Sequence, residues 1–469
     1  MAADTVVAGT IASRLERLPF TPWHWRIIGI CLICWLAEAI DIGLTGATIP
    51  SLRSDFHLTG AEVGLLGTST TITIVIFLFI AGPLIDHFGK RQVLLAALLI
   101  FGIATIATTF SPSFAVVIAL RIVAGIGLGM LFTVPYQIIV EMVPASVRGL
   151  SVGAVNAVLN LGYFSNLLAA SFIIPAMGWR PMYFLGALGL VAFVIAWWLL
   201  PESPRWLEAK GRQGEAEAVM NAIEVTVERS YGKPLPQPRR DLRIAPRGAS
   251  TTALGEMFSG ALLWRTIWLW IVVSCLWSTF YLFSIYLPTM LNSQGMALGS
   301  ALLTAAVVNA APIPTHLVGA WLLEKIGRRF TVTIYAGISL VGVVVFALAD
   351  TYAAALFGAS LALGFMAAAF SFTKLVAAEQ YPTRLRGSGT TFTEAVGRGI
   401  AGVLVPFVTG DLIVNRGITA ACALTIGLGI IGIVLYVSFA RETRGTTLEE
   451  LEDFAAAPDV GVVEVARQK

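Results

Sequence analysis

The sequence predicts an all-α membrane protein with twelve transmembrane helices, arranged as two related six-helix halves. Three observations carry this. Of 469 residues, 57% are hydrophobic and only 13% charged, about half the charged share of a soluble domain, and the mean hydropathy is +0.81. Apolar stretches of about twenty residues recur from one end to the other, each long enough to cross a hydrocarbon core of about 30 Å. Motifs of the first half of the chain return in the second.

Lipid offers the backbone no hydrogen-bond partner, so each spanning stretch must be helical. Residues 1–25 are polar and read as a cytoplasmic N-terminal segment carrying Arg14 and Arg17. No cleavage site follows a short apolar core, so the first span is an uncleaved helix rather than a signal peptide. The first half, 26–200, holds spans at 26–50, 61–85, 91–110, 113–140, 150–175 and 181–200. Residues 201–263 form a linker whose Pro- and Arg-rich tail runs from Lys233 to Arg247, with short helical pieces ahead of it. The second half, 264–440, holds spans at 264–290, 300–323, 329–349, 352–378, 388–414 and 418–440, before a tail at 441–469.

The net charge is +3, but its distribution says more. Connections with Lys90 and Arg91, Arg148, Arg328 and Arg329, and Arg384 and Arg386 are basic, and the linker adds nine Lys or Arg. The alternate connections hold isolated cations such as Arg53, Arg180 and Arg416. By the positive-inside rule, the basic loops, the linker and both termini face the cytoplasm. The four cysteines lie in apolar spans. Cys31-x-x-Cys34 is read as small residues packing between helices rather than a redox or metal pair.

One offset of 238 positions relates two separate motifs. Gly89 and Arg91 recur as Gly327 and Arg329, with Asp86 matched by Glu324; Glu141, Pro144, Arg148 and Gly149 recur as Glu379, Pro382, Arg386 and Gly387. Such a repeat implies halves related by an axis along the membrane normal, with a substrate site between them near the midplane.

These motifs resemble the major facilitator superfamily. The resemblance runs from about Trp23 to Phe454, over Gly82-Pro-Leu-Ile-Asp86-His-Phe-Gly89-Lys90-Arg91 and its copy Glu324-Lys-Ile-Gly327-Arg328-Arg329. It includes Arg121 with Gly125, Gly127 and Gly129, the Glu141 and Glu379 motifs, Pro201-Glu-Ser-Pro-Arg205-Trp-Leu, and Glu442-Thr-Arg-Gly. Within that superfamily it is similar to the branch of sugar porters, organic-ion transporters, aromatic-acid symporters and niacin-type carriers. The resemblance implies alternating access, with Asp86, Arg91, Glu141, Arg148, Glu324, Arg329, Glu379 and Arg386 as cytoplasmic gating charges. Physically, Asp86 and Glu324 can pair with nearby arginines or cap a helix N-terminus.

Ionisable residues inside spans are costly and are functional candidates. They are Glu38, Asp41, Arg121, Lys374, Glu394 and Arg398. At 1.5 Å per residue, Asp41 and Arg121 lie roughly 13 Å and 12 Å from the outer ends of their spans, so the depths permit an ion pair. Desolvation and the arginine act oppositely on such a carboxyl, so small movements can switch its protonation. Glu38-Ala-Ile-Asp41 also resembles the acidic first-span motif of aromatic-acid and niacin-type carriers, with Glu where Asp is usual. That resemblance implies a proton-coupling set of Asp41, Glu38 and Arg121.

Arg398, roughly 15 Å into span eleven, needs an anion, either a substrate carboxylate or Glu394 one turn earlier. Lys374 can snorkel to the interface. Asn156 and Asn160 share a face of span five, and span seven carries Trp277, Tyr281 and Tyr286. Aromatic walls with a few polar groups and a cation suit a small planar anion. Span-seven aromatics facing lipid or core are the alternative.

The expected function is proton-coupled symport of a small organic carboxylate such as nicotinate or a benzoate-like acid. Arg398, Asn156, Asn160, Trp277, Tyr281, Tyr286 and Glu394 make up the expected substrate site. An organic-cation or drug carrier is the alternative, and a sugar porter is weakened by the lack of glutamine-rich motifs in spans five and seven. The expected partners are substrate, protons and the bilayer, with no nucleic acid, no cofactor and no metal: His24, His57, His87 and His316 are scattered. The glycines after Arg121 lie inside a span, where close packing explains them better than a phosphate loop. The chain is read as a monomeric bacterial inner-membrane protein and not as an enzyme.

Overall fold

The computed structural model describes residues 10–237, 255–258, 260–381, 386–440 and 442. The side chains of Arg148, Asn156, Glu324, Lys374, Glu379 and Arg386, and the tail beyond Glu442, lie outside the described residues. Twelve helices among the described residues are long and apolar enough to cross a membrane. They run Pro22–Phe56, Gly60–Phe88, Lys90–Thr108, Phe114–Met142, Ala145–Met177, Arg180–Leu199, Gly260–Ser293, Leu298–Lys325, Arg328–Ala347, Tyr352–Gln380, Arg386–Asn415 and Ile418–Phe439. We number them as spans one to twelve.

Two spans expected to be continuous are interrupted. Span four breaks at Phe132 and Thr133, between Phe114–Leu131 and Val134–Met142. Pro135 has no N–H to give the Leu131 carbonyl, so the ladder fails there. Span eight breaks at Ala311, before Pro312–Lys325, for the same reason. Span six opens with a 3₁₀ segment, Arg180–Gly186. Spans one and seven exceed their expected 26–50 and 264–290, because helix outlasts the apolar stretch at both ends.

The first six and last six spans meet along spans two and eleven, five and eight, and one and seven. Without a hydrophobic drive between helices in lipid, such contacts depend on small residues that let backbones approach. A Cβ on Gly64 would lie 2.4 Å from the Phe407 carbonyl oxygen, and one on Gly410 2.7 Å from the Gly64 Cα. Gly46 likewise faces the Ile285 carbonyl. Tyr286 is fully buried in this seam and donates to the Pro406 carbonyl at 2.7 Å.

The buried apolar residues show where the bundle is joined. At the end remote from the termini one cluster includes Leu44, Leu66, Met182, Phe283, Leu291 and Leu302, drawn from both sixes. Toward the termini each six has its own cluster, one around Trp23, Leu94 and Met142, the other around Trp268, Tyr335 and Tyr381. Contact across the divide persists on that side through Phe79 and Phe392, with ring centroids 5.4 Å apart.

Outside the bilayer, the expected short helices of the linker are Pro204–Ala209 and Gln213–Tyr231. The N-terminal helix Ile11–Glu16 buries Ile11 and Leu15 with Met220, Ile223 and Val227 of the longer one. Arg14 and Arg17 both pair with Glu224, at 2.5 Å and 2.6 Å. Burial works against that carboxylate's charge, but the two arginine hydrogen bonds outweigh it and hold Glu224 below its ordinary value.

Candidate functional site

Two centres of buried charge occupy the middle of the bundle. The first joins spans one, three and four. Arg121 and Asp41, 0% and 1% exposed, form the pair their depths predict. Arg121 Nη1 donates to both Asp41 oxygens at 3.1 Å. Thr105 Oγ1 donates to Asp41 Oδ1 at 2.6 Å and accepts from Arg121 Nη2 at 2.9 Å. Thr108 takes a longer bond from the same nitrogen, and the guanidinium lies 5.0 Å from the Tyr183 ring centroid. Gly125 lets span four close on span two at the Thr70 carbonyl, so the glycines after Arg121 serve packing.

The second centre is Arg398 in span eleven, 9% exposed. Its Nε donates to Tyr281 Oη at 3.3 Å. Gly402, one turn on, leaves room for that hydroxyl, since a Cβ there would lie 2.6 Å from it. The guanidinium carbon lies 4.2 Å from the Phe132 ring centroid and 5.4 Å from that of Trp277. Among the described residues no carboxylate forms an ion pair with it. Glu394 acts on Arg398 electrostatically but lines a separate small cavity with Thr373 and Thr390. The i, i+4 bridge open to these two residues is thus not formed.

Glu38, 1% exposed, lies between the centres, within electrostatic reach of both Arg398 and Asp41. Its Oε2 has no hydrogen-bond partner among the described residues. Tyr163 of span five is within the same reach of Arg398, Tyr281 and Glu38. The buried Trp277 Nε1 and both polar atoms of the Asn166 amide are also without partners among the described residues. Buried polar atoms of this kind ordinarily have a partner, water or ligand included. Asn166 abuts Gly43 of span one, and Asn160 is half-buried on span five. Tyr286, expected at the site, lies in the interhelical seam instead.

At the termini end, a repeated bracket closes each six. Glu202 accepts from the backbone N–H groups of Lys90 and Arg91 at 3.1 Å and 3.2 Å. Glu442 does the same for Arg328 and Arg329, at 2.9 Å and 3.0 Å. Each carboxylate therefore caps the N-terminus of the third helix of its set, where the helix dipole favours an anion. Gly89 and Gly327 have φ of +92° and +97°, and a Cβ on either would lie 2.5 Å from the capping oxygen, so glycine serves both demands. Arg91 and Arg329 donate to the carbonyls of Leu200 and Val437. Glu141 pairs with Lys90 at 3.0 Å and accepts from Ser203 Oγ. The exposed Asp86 side chain makes no such contact among the described residues; its carbonyl accepts from the Trp206 indole. The cap foreseen for Asp86 is supplied by Glu202.

Sequence reasoning missed Phe132, Tyr163, Thr105, Glu202 and Glu442 as partners. Pro135 was the available signal for Phe132, since interrupted spans mark midplane sites. Among the described residues there is no cluster of metal-ligating side chains.

Comparison with known proteins agrees with this architecture. The sequence model of the Major Facilitator Superfamily matches residues 31–406. The niacin transporter NiaP of Acinetobacter baylyi is 27% identical over 442 residues, 94% of this chain and 99% of that one. The 4-hydroxybenzoate transporter PcaK of Pseudomonas aeruginosa is 26% identical over 394 residues, 82% of this chain and 85% of its own. Among solved structures, the inward-open xylose transporter XylE from E. coli superposes with a TM-score of 0.71 at 18% identity, over 92% of this chain and 99% of that one.

Proposed function

Because the chain belongs to the major facilitator superfamily, and so is a multi-pass membrane transporter rather than an enzyme, we propose that it carries a small aromatic carboxylate across a bacterial inner membrane by proton-coupled symport. The observation that carries this is Arg398. A guanidinium removed from water costs several kcal/mol unless an anion meets it, and among the described residues no carboxylate forms an ion pair with it. Its Nε is committed to Tyr281, which leaves the Nη edge for two parallel bonds to a carboxylate. Trp277 and Tyr281 add aromatic surface beside it, as a planar substrate requires. The niacin and 4-hydroxybenzoate transporters, named for aromatic carboxylates, support the same substrate class.

Coupling follows from Glu38. A substrate carboxylate on Arg398 and the Glu38 carboxylate compete for one positive charge, and two like charges in a buried site disfavour each other. Binding the anion therefore draws a proton onto Glu38, and the loaded carrier crosses with the pair neutralised. The family resemblance implies this role for Asp41, with Glu38 in support. The geometry favours the reverse, because Arg121 and Thr105 already bond both Asp41 oxygens while one Glu38 oxygen is without a partner among the described residues. Asp41 and Arg121 then fix the local field that Glu38 feels.

Alternating access exchanges the seam at Gly64 and Gly410 for a closure at the other end, with the two carboxylate brackets keeping each six-helix set intact as it rocks. The basic loops put the termini on the cytoplasmic side, so the sealed end faces outward. The test is uptake into proteoliposomes of labelled nicotinate, benzoate, a quaternary ammonium and glucose, with and without an inward proton gradient. Gradient-driven uptake of nicotinate or benzoate is expected. Uptake of the ammonium ion alone would overturn the role of Arg398, and gradient-independent carboxylate uptake would leave the substrate class but remove the coupling.

A further inference from the structure

Phe132 has no place in the mechanism so far, yet it makes the closest ring contact to the cation that mechanism depends on. It sits at the interruption of span four, where Pro135 leaves the Leu131 carbonyl without its helical donor. Non-helical backbone at membrane depth is tolerated where it lines a cavity or is buried in protein. The break carries the Phe132 ring to 4.2 Å from the guanidinium carbon of Arg398. The two residues belong to different six-helix sets. The hydrogen bond and the other ring contact of Arg398, to Tyr281 and Trp277, come from its own side.

We propose that Phe132 is a positioning residue for Arg398, holding the guanidinium's donor edge toward the substrate through the electron-rich face of its ring. The inference rests on the carboxylate reading. An arginine has many rotamers and loses entropy when fixed, so a site that must present a two-pronged donor gains by fixing it beforehand. A cation over an aromatic face is attracted by the ring quadrupole, more strongly when both are removed from water. Because the ring comes from across the divide, its hold lasts only while spans four and eleven stay at this separation. Rocking of the sixes withdraws the ring and releases the arginine. Affinity for the anion then differs between the two states of the carrier, as any ligand-driven shift between states requires.

The test replaces Phe132 in the full-length protein with phenylalanines bearing one, two and three fluorines, which keep the shape but weaken the quadrupole. Equilibrium binding of labelled benzoate and the KM and kcat of its uptake are measured for each. Expected is a stepwise loss of affinity reaching about tenfold at three fluorines, carried by KM, with Phe132→Trp close to wild type and Phe132→Leu as weak as the trifluoro variant. If the fluorinated series stays flat, whether or not Phe132→Leu is impaired, the ring only packs and the inference fails. Arg398→Gln separates the two levels. Loss of benzoate binding there alongside a flat fluorine series sinks the Phe132 role alone. Unchanged binding in Arg398→Gln sinks the carboxylate site and the Phe132 role together.

Discussion

Each six-helix set buries one arginine near the middle of its fold, and the two are treated in opposite ways. Arg121 is met by a carboxylate, two threonine hydroxyls and a tyrosine ring, all from the first six spans. Arg398 is met by a tyrosine hydroxyl and two aromatic rings, one from the other set, with no carboxylate among the described residues. Taking a cation out of water is expensive in either place. In the first the protein balances the charge itself, and the result is structure. In the second, on the proposed function, the balance is left to a substrate that arrives and departs. Burial of a charge therefore does not by itself mark a binding site. Incomplete compensation of the buried charge does.

The largest effect is expected from the removal of Arg121. Arg121→Leu strands Asp41 without its counter-ion and is expected to cost about 3–5 kcal/mol, read as a large fall in thermal midpoint in detergent. The double variant Asp41→Leu with Arg121→Leu should recover most of it. Equal losses in single and double variants would mean that the pair is not the unit that matters.

Removing Arg398 tests the other side. Arg398→Gln breaks no ion pair among the described residues, so its midpoint should move by about 1 kcal/mol or less, the range of substitutions that break no network. Benzoate binding should fall by roughly 2 kcal/mol, as when a charged hydrogen bond is lost. A stability loss rivalling that of Arg121→Leu would erase the distinction.

Between the two arginines, Glu38→Gln should keep carboxylate exchange but lose the stimulation by an inward proton gradient. Were that stimulation to survive in Glu38→Gln and vanish in Asp41→Asn, the proton would belong to Asp41.

The smallest effect is expected outside the bilayer, where Glu224 joins Arg14 and Arg17. Its carboxyl is held below its ordinary value. Its contribution is therefore in force above the unfolded-state value of about 4.3 and fades as pH falls through the lower folded-state one. Glu224→Gln should cost about 1 kcal/mol or less and speed hydrogen exchange in Ile11–Glu16 at neutral pH. Wild type should show the same loosening only below about pH 4. Identical exchange in the two proteins at neutral pH would dismiss the contact.

Much of this was open to sequence reasoning, because a bilayer converts position along a helix into depth. Twelve spans and the repeat followed from apolar length and one offset, and the equal depths of Asp41 and Arg121 made their pairing calculable. Depth alone does not give azimuth. Glu394 and Arg398 sit one turn apart with opposite charge, yet they serve different spaces. Tyr281 and Tyr286 are five residues apart on span seven, and one reaches Arg398 while the other goes to the seam. Pro135 marks the break at Phe132, but the partner of that ring lies across the divide in another part of the chain, and no local pattern encodes such a meeting. The same holds for Glu202, whose neighbouring sequence gives no hint that it serves the start of span three.

Those two capping carboxylates also bear on biogenesis. The N–H groups at the start of span three wait for a glutamate 112 residues later in the chain, and those of span nine for one 114 residues later. At roughly 5–20 residues per second of synthesis, on the order of 6–23 s pass before each bracket can close. The glutamate arrives only after the sixth helix of its set has emerged. Each six-helix set thus has a contact that can form only once its sixth helix is made, and the first can close before the first helix of the second has been made.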